Sequence, residues 1–147
     1  MTIDSIRPTD VPAGHRRTVH VDVTVPRPTS VAALFRAAAR VLAATGLYQG
    51  DYVPDPFDRE MCIPHALRPM SIVAALKCAS TGDHRADSLL ADEAIARLAL
   101  RLGDGPAYGD IFSLEDHVDS WGDEPGRTTE SACAVLYAAA DAAEVAA

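Results

Sequence analysis

Residues 88 to 103 decide the fold of this chain, and they read Ser-Leu-Leu-Ala-Asp-Glu-Ala-Ile-Ala-Arg-Leu-Ala-Leu-Arg-Leu-Gly. The apolar positions recur every three or four residues, which places them along one face of an α-helix. Asp87 or Ser88 can accept the free N–H groups of the first turn, and Gly103 suits the left-handed residue that closes a helix. The pattern predicts an amphipathic helix. Its apolar stripe consists of Ala91, Ala94, Ile95, Leu98 and Leu102.

Segments on both sides of this helix carry the same period, so we predict a mainly α fold. It is a compact bundle of about four to five helices. Alanine supplies many of the inner positions, which favours close helix packing. The segments outside residues 88–103 are a helix from Thr29 or Ser30 to Gly46, a short helical turn opened by Pro64, an apolar helix over Ser71–Ser80, a short acidic helix from Ser113, a turn over Gly122–Gly126 and an Ala-rich last helix capped by Thr128.

One segment has a different period. Thr18–Val25 alternates valine with polar residues, which predicts a half-buried β-strand. Everything after it is predicted mainly as helix, so the strand has no obvious partner within its own chain. We expect it to pair with the same strand of a second subunit and so to form a homodimer. The alternative is pairing with an extended piece such as Tyr108–Phe112. The predicted organisation is a leader and β-strand arm over residues 1–28, followed by a helical domain over residues 29–147.

Composition excludes several classes of function. The 147 residues carry a net charge of −8, which repels phosphate backbones, so we expect no nucleic-acid binding. No apolar stretch approaches the roughly 20 residues of a membrane span, and no export signal is recognisable. The three cysteines show no CxxC pair, which favours a reducing, cytoplasmic location.

With the helices placed, a set of residues at their junctions forms a recognisable pattern: Leu34, Ala37-Ala38, Leu42, Gly46, Gln49-Gly50, Cys62 with Ala66-Leu67, Trp121-Gly122-Asp123 and Pro125-Gly126-Arg127-Thr128. This pattern resembles a family of small uncharacterised actinobacterial proteins, known only as a domain of unknown function. The resemblance covers about Val31–Ala143 and implies an all-helical core, a cytoplasmic location and no established activity. Three positions depart from the family pattern: an aromatic residue is usual where Leu47 stands, a glycine at His65 and an asparagine at Gly122.

Cysteine and histidine residues suggest two kinds of site. Cys62 and His65 lie beside Pro64, where a helix is predicted to begin, and an adjacent imidazole would activate a thiolate. A buried thiol is the ordinary alternative, and the family's usual glycine at His65 excludes a dyad common to the family. A zinc site of Cys62, His65, Cys78 and His84 would require the chain to fold back. A helix continuous from His65 would put Cys78 about 20 Å away, and a sharp kink at Pro69 would be needed to shorten that distance. We therefore expect no metal.

Acidic side chains are concentrated in the loop after the first helix. Asp51, Asp55, Asp58 and Glu60 stand there, but their spacing does not match a calcium-binding loop with its central glycine. Solvated surface charge is the expected role of this group.

The most specific local feature is the turn from Trp121 to Thr128, which joins an indole, a carboxylate and a guanidinium at a helix N-terminus. Such a turn can hold an anionic or polar ligand. It can also be purely structural, with Asp123 accepting backbone N–H groups and Arg127 pairing with Asp123 or Glu124. We expect any pocket to lie between this turn and the Tyr48–Tyr52 loop. The candidate residues are Asp123 and His65 as acid or base, with Tyr48, Asp51, Trp121 and Arg127 as ligand-binding groups.

These features predict a cofactor-independent dimer that binds a small organic molecule or peptide. It would catalyse proton transfer, elimination or cyclisation in specialised metabolism, with Asp123 or His65 as acid or base and Arg127 orienting an anionic group. The alternative is a non-catalytic protein-interaction or regulatory module. In a third hypothesis the valine-rich strand itself adds to the sheet edge of a partner.

Overall fold

The computed structural model describes residues 26–146 of the chain, and five α-helices occupy most of them. A short 3-10 helix at His65–Leu67 lies between the first two. The mainly helical fold predicted from the sequence is confirmed. The helices are α1 (Val31–Thr45), α2 (Ile72–Thr81), α3 (Leu89–Arg101), α4 (Ile111–Asp123) and α5 (Thr129–Ala146).

Side-chain and backbone caps define the helix ends. The hydroxyls of Ser30, Ser71 and Ser88 each accept the N–H three residues further on, at 3.0–3.1 Å. Gly46 and Gly82 close α1 and α2 with positive φ angles of 98° and 89°. Ser30, Gly46, Ser71 and Ser88 are predicted boundaries, because capping depends on local sequence.

The fourth helix differs from its prediction at both ends. It begins at Ile111 because the Asp110 carboxylate accepts the Ser113 N–H at 3.1 Å, so Asp110 is the cap and Ser113 lies inside the first turn. It continues through Gly122, which the sequence pattern had placed in a turn. Gly122 is buried, and its Cα faces Ile72 of α2. The end of α4 therefore packs against the start of α2.

One hydrophobic core lies at the centre of the bundle. α1 packs mainly on α5 and α2, while α3 packs on α4. The alanines of α2 and α5 supply much of the contact, and Ala74, Ala75, Ala132 and Ala140 have no exposed surface. Among the described residues, no helix combines the length and apolar character needed to cross a membrane. The largest fully buried apolar side chains are Phe35, Leu34, Leu42, Met70, Ile72, Leu76, Ile95, Leu98 and Leu136.

The β-strand arm predicted at Thr18–Val25 lies outside the described residues. Residues 26–146 contain no β-strand, and their single isolated bridge joins Leu47 to Met70 in parallel. The alternative partner for the strand is not extended over its whole length, since Ile111 and Phe112 form the first turn of α4.

Candidate functional site

The long loop between α1 and α2 is built around a buried arginine. The Arg68 side chain is only 1% exposed. It donates to the Asp58 carboxylate at 2.6 Å, and its remaining N–H groups go to carbonyl oxygens of the loop. Because one guanidinium satisfies so many acceptors, it determines how the loop folds. The carbonyls belong to Pro54, Asp55, Met61 and Ile63, at 3.0, 2.7, 3.3 and 2.8 Å.

A second side chain fixes the tip of this loop. The Asp55 carboxylate accepts the backbone N–H groups of Arg59, Glu60 and Met61 at 2.7–3.0 Å. These bonds lower the pKa of Asp55. Both Asp55 and Asp58 have positive φ, at 49° and 58°, a conformation that aspartate tolerates better than most residues. The acidic groups predicted to be solvated surface charge therefore include two that organise the loop.

Asp58 also holds His65. The Nε2 atom of His65 lies 2.8 Å from Asp58 Oδ1, and the hydrogen bonds from His65 and Arg68 lower the pKa of Asp58. An ionised carboxylate only accepts hydrogen bonds, so Nε2 carries the proton and Nδ1 of a neutral His65 is the available acceptor. The orientation of this imidazole is thus set by a bond that leaves its second nitrogen free for a ligand.

A second histidine lies beside the first. The rings of His65 and His84 have their centroids 5.0 Å apart and are tilted by 59°. The His84 side chain is 4% exposed, and no described residue gives it a hydrogen bond. Burial lowers the pKa of His84, and the neighbouring His65 and Arg85 lower it further. His84 is therefore a neutral imidazole close to neutral pH.

The two histidines line an open groove of about 620 Å³. Cys62 and Arg85 line it as well, together with Asp58. Cavities of roughly 300–1,000 Å³ are typical of small-molecule sites. The groove therefore combines an adequate volume with two imidazoles, one of them neutral and one held by a carboxylate.

Cys62 and His65 lie in the same groove, as their spacing suggested, while Cys78 does not. Cys78 lines a neighbouring cavity, and burial raises the pKa of its thiol. The geometric argument that placed Cys78 about 20 Å from His65 assumed one continuous helix. Instead the backbone is extended at Arg68, with φ −86° and ψ 157°, so the chain turns back and His65 meets His84.

The turn from Trp121 to Thr128 lies against the loop that follows α1. The Asp123 carboxylate accepts the Gly50 N–H at 2.9 Å, and Gln49 donates to the carbonyls of Gly122 and Glu124 at 2.9 and 3.0 Å. These bonds fasten the loop to the end of α4. The polar groups of this region are therefore occupied by backbone partners.

Arg127 and Trp121 stack on each other in the same turn. The guanidinium carbon lies 3.8 Å from the centroid of the Trp121 ring. Arg127 also donates from Nε to the Trp121 carbonyl at 2.9 Å and from Nη2 to Glu124 at 2.7 Å. These are the contacts of a structural turn.

The other candidate residues, Tyr48, Asp51 and His65, lie either beside the Trp121 turn or in the histidine groove. The Tyr48 backbone N–H donates to the Met70 carbonyl, and the Asp51 carboxylate accepts the Tyr52 N–H. Both residues belong to the loop beside the Trp121 turn. His65 is the one candidate that lies in the histidine groove.

A buried charge cluster on α2 was not predicted from the sequence. The Lys77 ammonium lies 2.9 Å from Asp87 and 3.1 Å from Glu115, and Glu115 accepts a hydrogen bond from the Tyr52 hydroxyl. Burial raises the pKa of Tyr52 to about 12. Lys77 is the single lysine of the chain and lies within an apolar helix. This unusual position is the feature of the sequence from which a buried charge could have been predicted.

Three carboxylates of this cluster could hold a metal ion. The ligand atoms of Asp87, Asp92 and Glu115 lie within 4.8 Å of one another, the one such group found among residues 26–146. The Lys77 ammonium already supplies a positive charge to two of them. Lys77, Asp87 and Glu115 thus form an ion pair that joins α2, the residue before the cap of α3 and α4, while Asp92 Oδ1 on α3 is buried without a hydrogen-bond partner among the described residues.

Comparison with known protein families assigns this chain to one of them. The model of a family described as a family of unknown function, DUF6197, matches residues 26–142. The chain belongs to this family. The DUF6197 match covers α1 to α4 and most of α5, which confirms the expectation of an uncharacterised domain. No curated protein and no solved structure shows significant similarity to this chain.

Proposed function

We propose that this DUF6197 protein binds a small organic molecule in the groove of His65 and His84 and exchanges a proton with it. The observation that carries the proposal is the pair of imidazoles 5.0 Å apart, one of which is hydrogen-bonded to Asp58. The His84 ring makes no hydrogen bond to a described residue, and its Nδ1 lies 3.9 Å from Asp83 Oδ1, so the ring can form a hydrogen bond to a ligand.

The two histidines suit different parts of a proton transfer. His84, with its lowered pKa, is neutral and can accept a proton. His65 is positioned by Asp58, whose negative charge would stabilise the imidazolium that forms when His65 accepts one. Proton transfer, elimination or cyclisation without a cofactor are the reaction classes that this pair supports.

His65 therefore keeps the role predicted from the sequence, and His84 replaces Asp123 as its partner. Asp123, Trp121 and Arg127 are engaged in the turn, so we assign them a structural role. Since the family resemblance implies glycine at the position of His65, a reaction that uses His65 belongs to this chain and not to all its relatives. A place in specialised metabolism remains part of the same proposal.

A ligand screen tests the proposal. The wild-type protein is heated with a library of small organic acids, amides and short peptides, and compounds that raise its Tm are retained. We expect His65→Gln and His84→Gln to lose the response. The matched control is His117→Gln, because His117 bonds the Leu102 carbonyl on another face. Ligands that stabilise all four proteins equally would contradict the assignment of the groove.

A protein-interaction module is the second candidate function. Phe57, Ile63 and Leu67 belong to the loop that forms the groove, and they are 80%, 49% and 66% exposed. Exposed apolar side chains within one segment favour a protein partner. The double variant Phe57→Ser/Leu67→Ser would abolish partner binding in this reading and would leave small-molecule binding unchanged. Ile63 is kept, because it also lines the groove.

The homodimer and the cytoplasmic location belong to the proposal as well. The alternating valines of Thr18–Val25 support pairing of two chains, and three free cysteines support a reducing compartment. Light scattering of the double variant Val21→Asp/Val23→Asp tests the homodimer. We expect this variant to be a monomer. Thr24→Asp, on the polar face of the same segment, is the control that should remain a dimer. A double variant that stays dimeric would contradict pairing through this segment.

A further inference from the structure

A second cavity adjoins the histidine groove. It has a volume of about 580 Å³, and Ala66 and Gly82 line both cavities. Its other walls include the apolar Ala37, Val41 and Ala79, with Arg27 and Arg40 as the charged residues of the lining. A polar cavity with an apolar neighbour is the arrangement that an amphipathic small molecule requires.

The two carboxylates of the histidine groove already accept hydrogen bonds, whereas the Arg85 guanidinium is available to a ligand. Asp58 is already bonded to Arg68 and His65, and Asp83 accepts the Arg85 backbone N–H at 2.9 Å. Arg85 is 66% exposed and only weakly paired, with Nε 3.6 Å from Asp83. The Arg85 guanidinium therefore offers a charged donor to an entering anion.

The charges around His84 also favour a negatively charged ligand. It is buried next to three positively charged or protonatable groups, His65, Arg85 and Arg68, and Asp83 is the opposing charge. A bound anion would relieve this repulsion and would favour protonated His84.

We propose that the two adjoining cavities form one site for an organic anion with an apolar tail, such as a medium-chain carboxylate. This inference rests on the proposed function and names its ligand class. The carboxylate would lie between His65, His84 and Arg85, and the tail would pass Ala66 and Gly82 to reach Ala37 and Val41.

The experiment uses NMR titration of the full chain, with the ring signals of His65 and His84 assigned from their glutamine variants. The probes are acetate, butyrate, hexanoate and the neutral hexanamide. Each fully buried methylene is worth about fourfold in affinity, so hexanoate should bind at least about tenfold more tightly than acetate. It should also bind about tenfold more tightly than hexanamide, and should raise the titration midpoint of His84.

Two variants separate the halves of the site. Ala37→Leu, which fills the apolar cavity at a half-buried position, should remove the advantage of hexanoate and leave acetate binding unchanged. His84→Gln should weaken both acids. The comparison of hexanoate with acetate on the wild-type chain does not depend on either variant.

Three results would overturn the inference. Equal binding of hexanamide and hexanoate would exclude the anion while leaving small-molecule binding in place. Equal binding of acetate and hexanoate would exclude the apolar tail. Silence of both histidines toward all four probes would exclude this ligand class, and the library screen then decides the proposed function separately.

Discussion

Arg68 donates from Nη2 to the Oδ1 atom of Asp58 over 2.6 Å, and that oxygen is also the partner of His65. Arg68 is buried, whereas the Asp58 side chain is 57% exposed. The orientation of a groove imidazole therefore depends on an arginine that is held almost entirely by backbone carbonyls. This relationship links the stability of the loop to the geometry of the proposed site.

Arg68→Met is expected to destabilise the protein by about 3–5 kcal/mol. Methionine fills similar space, but it leaves four loop carbonyls without their donor and Asp58 without its cation. Urea unfolding measures the loss. The control is Arg85→Met, an exposed neighbour that should change the free energy of unfolding by less than about 0.5 kcal/mol. An unchanged midpoint for Arg68→Met would mean that the loop folds without the guanidinium.

His84 should make stability fall as the solution becomes acidic. Its folded pKa lies below the unfolded value of 6.5, so the unfolded chain binds the proton more readily. The contribution of the neutral ring is complete above pH 6.5 and is lost as the pH falls toward the folded pKa. Urea unfolding of wild type and His84→Gln between pH 7.5 and 5 should show a smaller pH dependence for the variant. Parallel curves would contradict the assignment.

Asp119 should make the stability of the protein fall as the solution becomes alkaline, which is opposite to the effect of His84. Burial raises the pKa of this carboxyl to about 7, although it accepts the Val73 N–H at 3.0 Å at the start of α2. Its folded pKa exceeds the unfolded value of 3.8, so its stabilising contribution is complete below pH 3.8 and is lost as the pH rises through 7.

Asp119→Asn isolates this effect, because the amide oxygen can still accept the Val73 N–H but never ionises. We expect the variant to be more stable than wild type at pH 8, by on the order of 3 kcal/mol, and to show little gain at pH 4. Asp116→Asn, an exposed neighbour, is the control. A gain that is equal at both pH values would show that ionisation of Asp119 is not its cause.

Helix positions were predictable because the signals that set them are local. Ser30, Ser71 and Ser88 cap the helices that follow them, and Gly46 and Gly82 end two of them. The start of α4 was misplaced because Asp110 and Ser113 are both good caps, and Asp110 accepts the Ser113 hydroxyl as well as its N–H. Gly122 was assigned to a turn because its packing against Ile72 is a tertiary contact.

The site was predictable only in part, for the same reason. His65 was recognised as a candidate, but its partners Asp58 and His84 come from the loop and from the segment after α2. The sequence does not reveal that Arg68 is buried, since arginine is usually exposed. The Trp121 turn was recognised because its residues are contiguous. Its partner Gly50 was expected only as part of a nearby loop.

Substitution of Gly122 and of Gly82 by alanine should change the stability of the protein in opposite directions. A methyl group at Gly122 would lie 3.4 Å from Ile72 Cδ1, an ordinary contact, and Gly122 is inside a helix. Gly122→Ala should therefore stabilise the protein by about 0.5–1 kcal/mol. A methyl group at Gly82 would lie 2.5 Å from Arg27 Nη2, on a backbone with φ of 89°. Gly82→Ala should cost about 1–2 kcal/mol. Thermal unfolding measures both, and destabilisation by Gly122→Ala would contradict the contact at Ile72.

Arg127→Lys tests whether the Trp121 turn is structural. Lysine keeps a positive charge for Glu124 but loses the planar stack on the indole and the Nε bond to the Trp121 carbonyl. We expect a loss of about 1–2 kcal/mol in the free energy of unfolding and a change in the emission of Trp121, which is the single tryptophan of the chain. Ligands that depend on His65 and His84 should bind to Arg127→Lys as they bind to wild type, because the turn fastens the loop at Gln49 and Gly50 and not at the groove. Loss of ligand binding without loss of stability would instead make the turn a binding site.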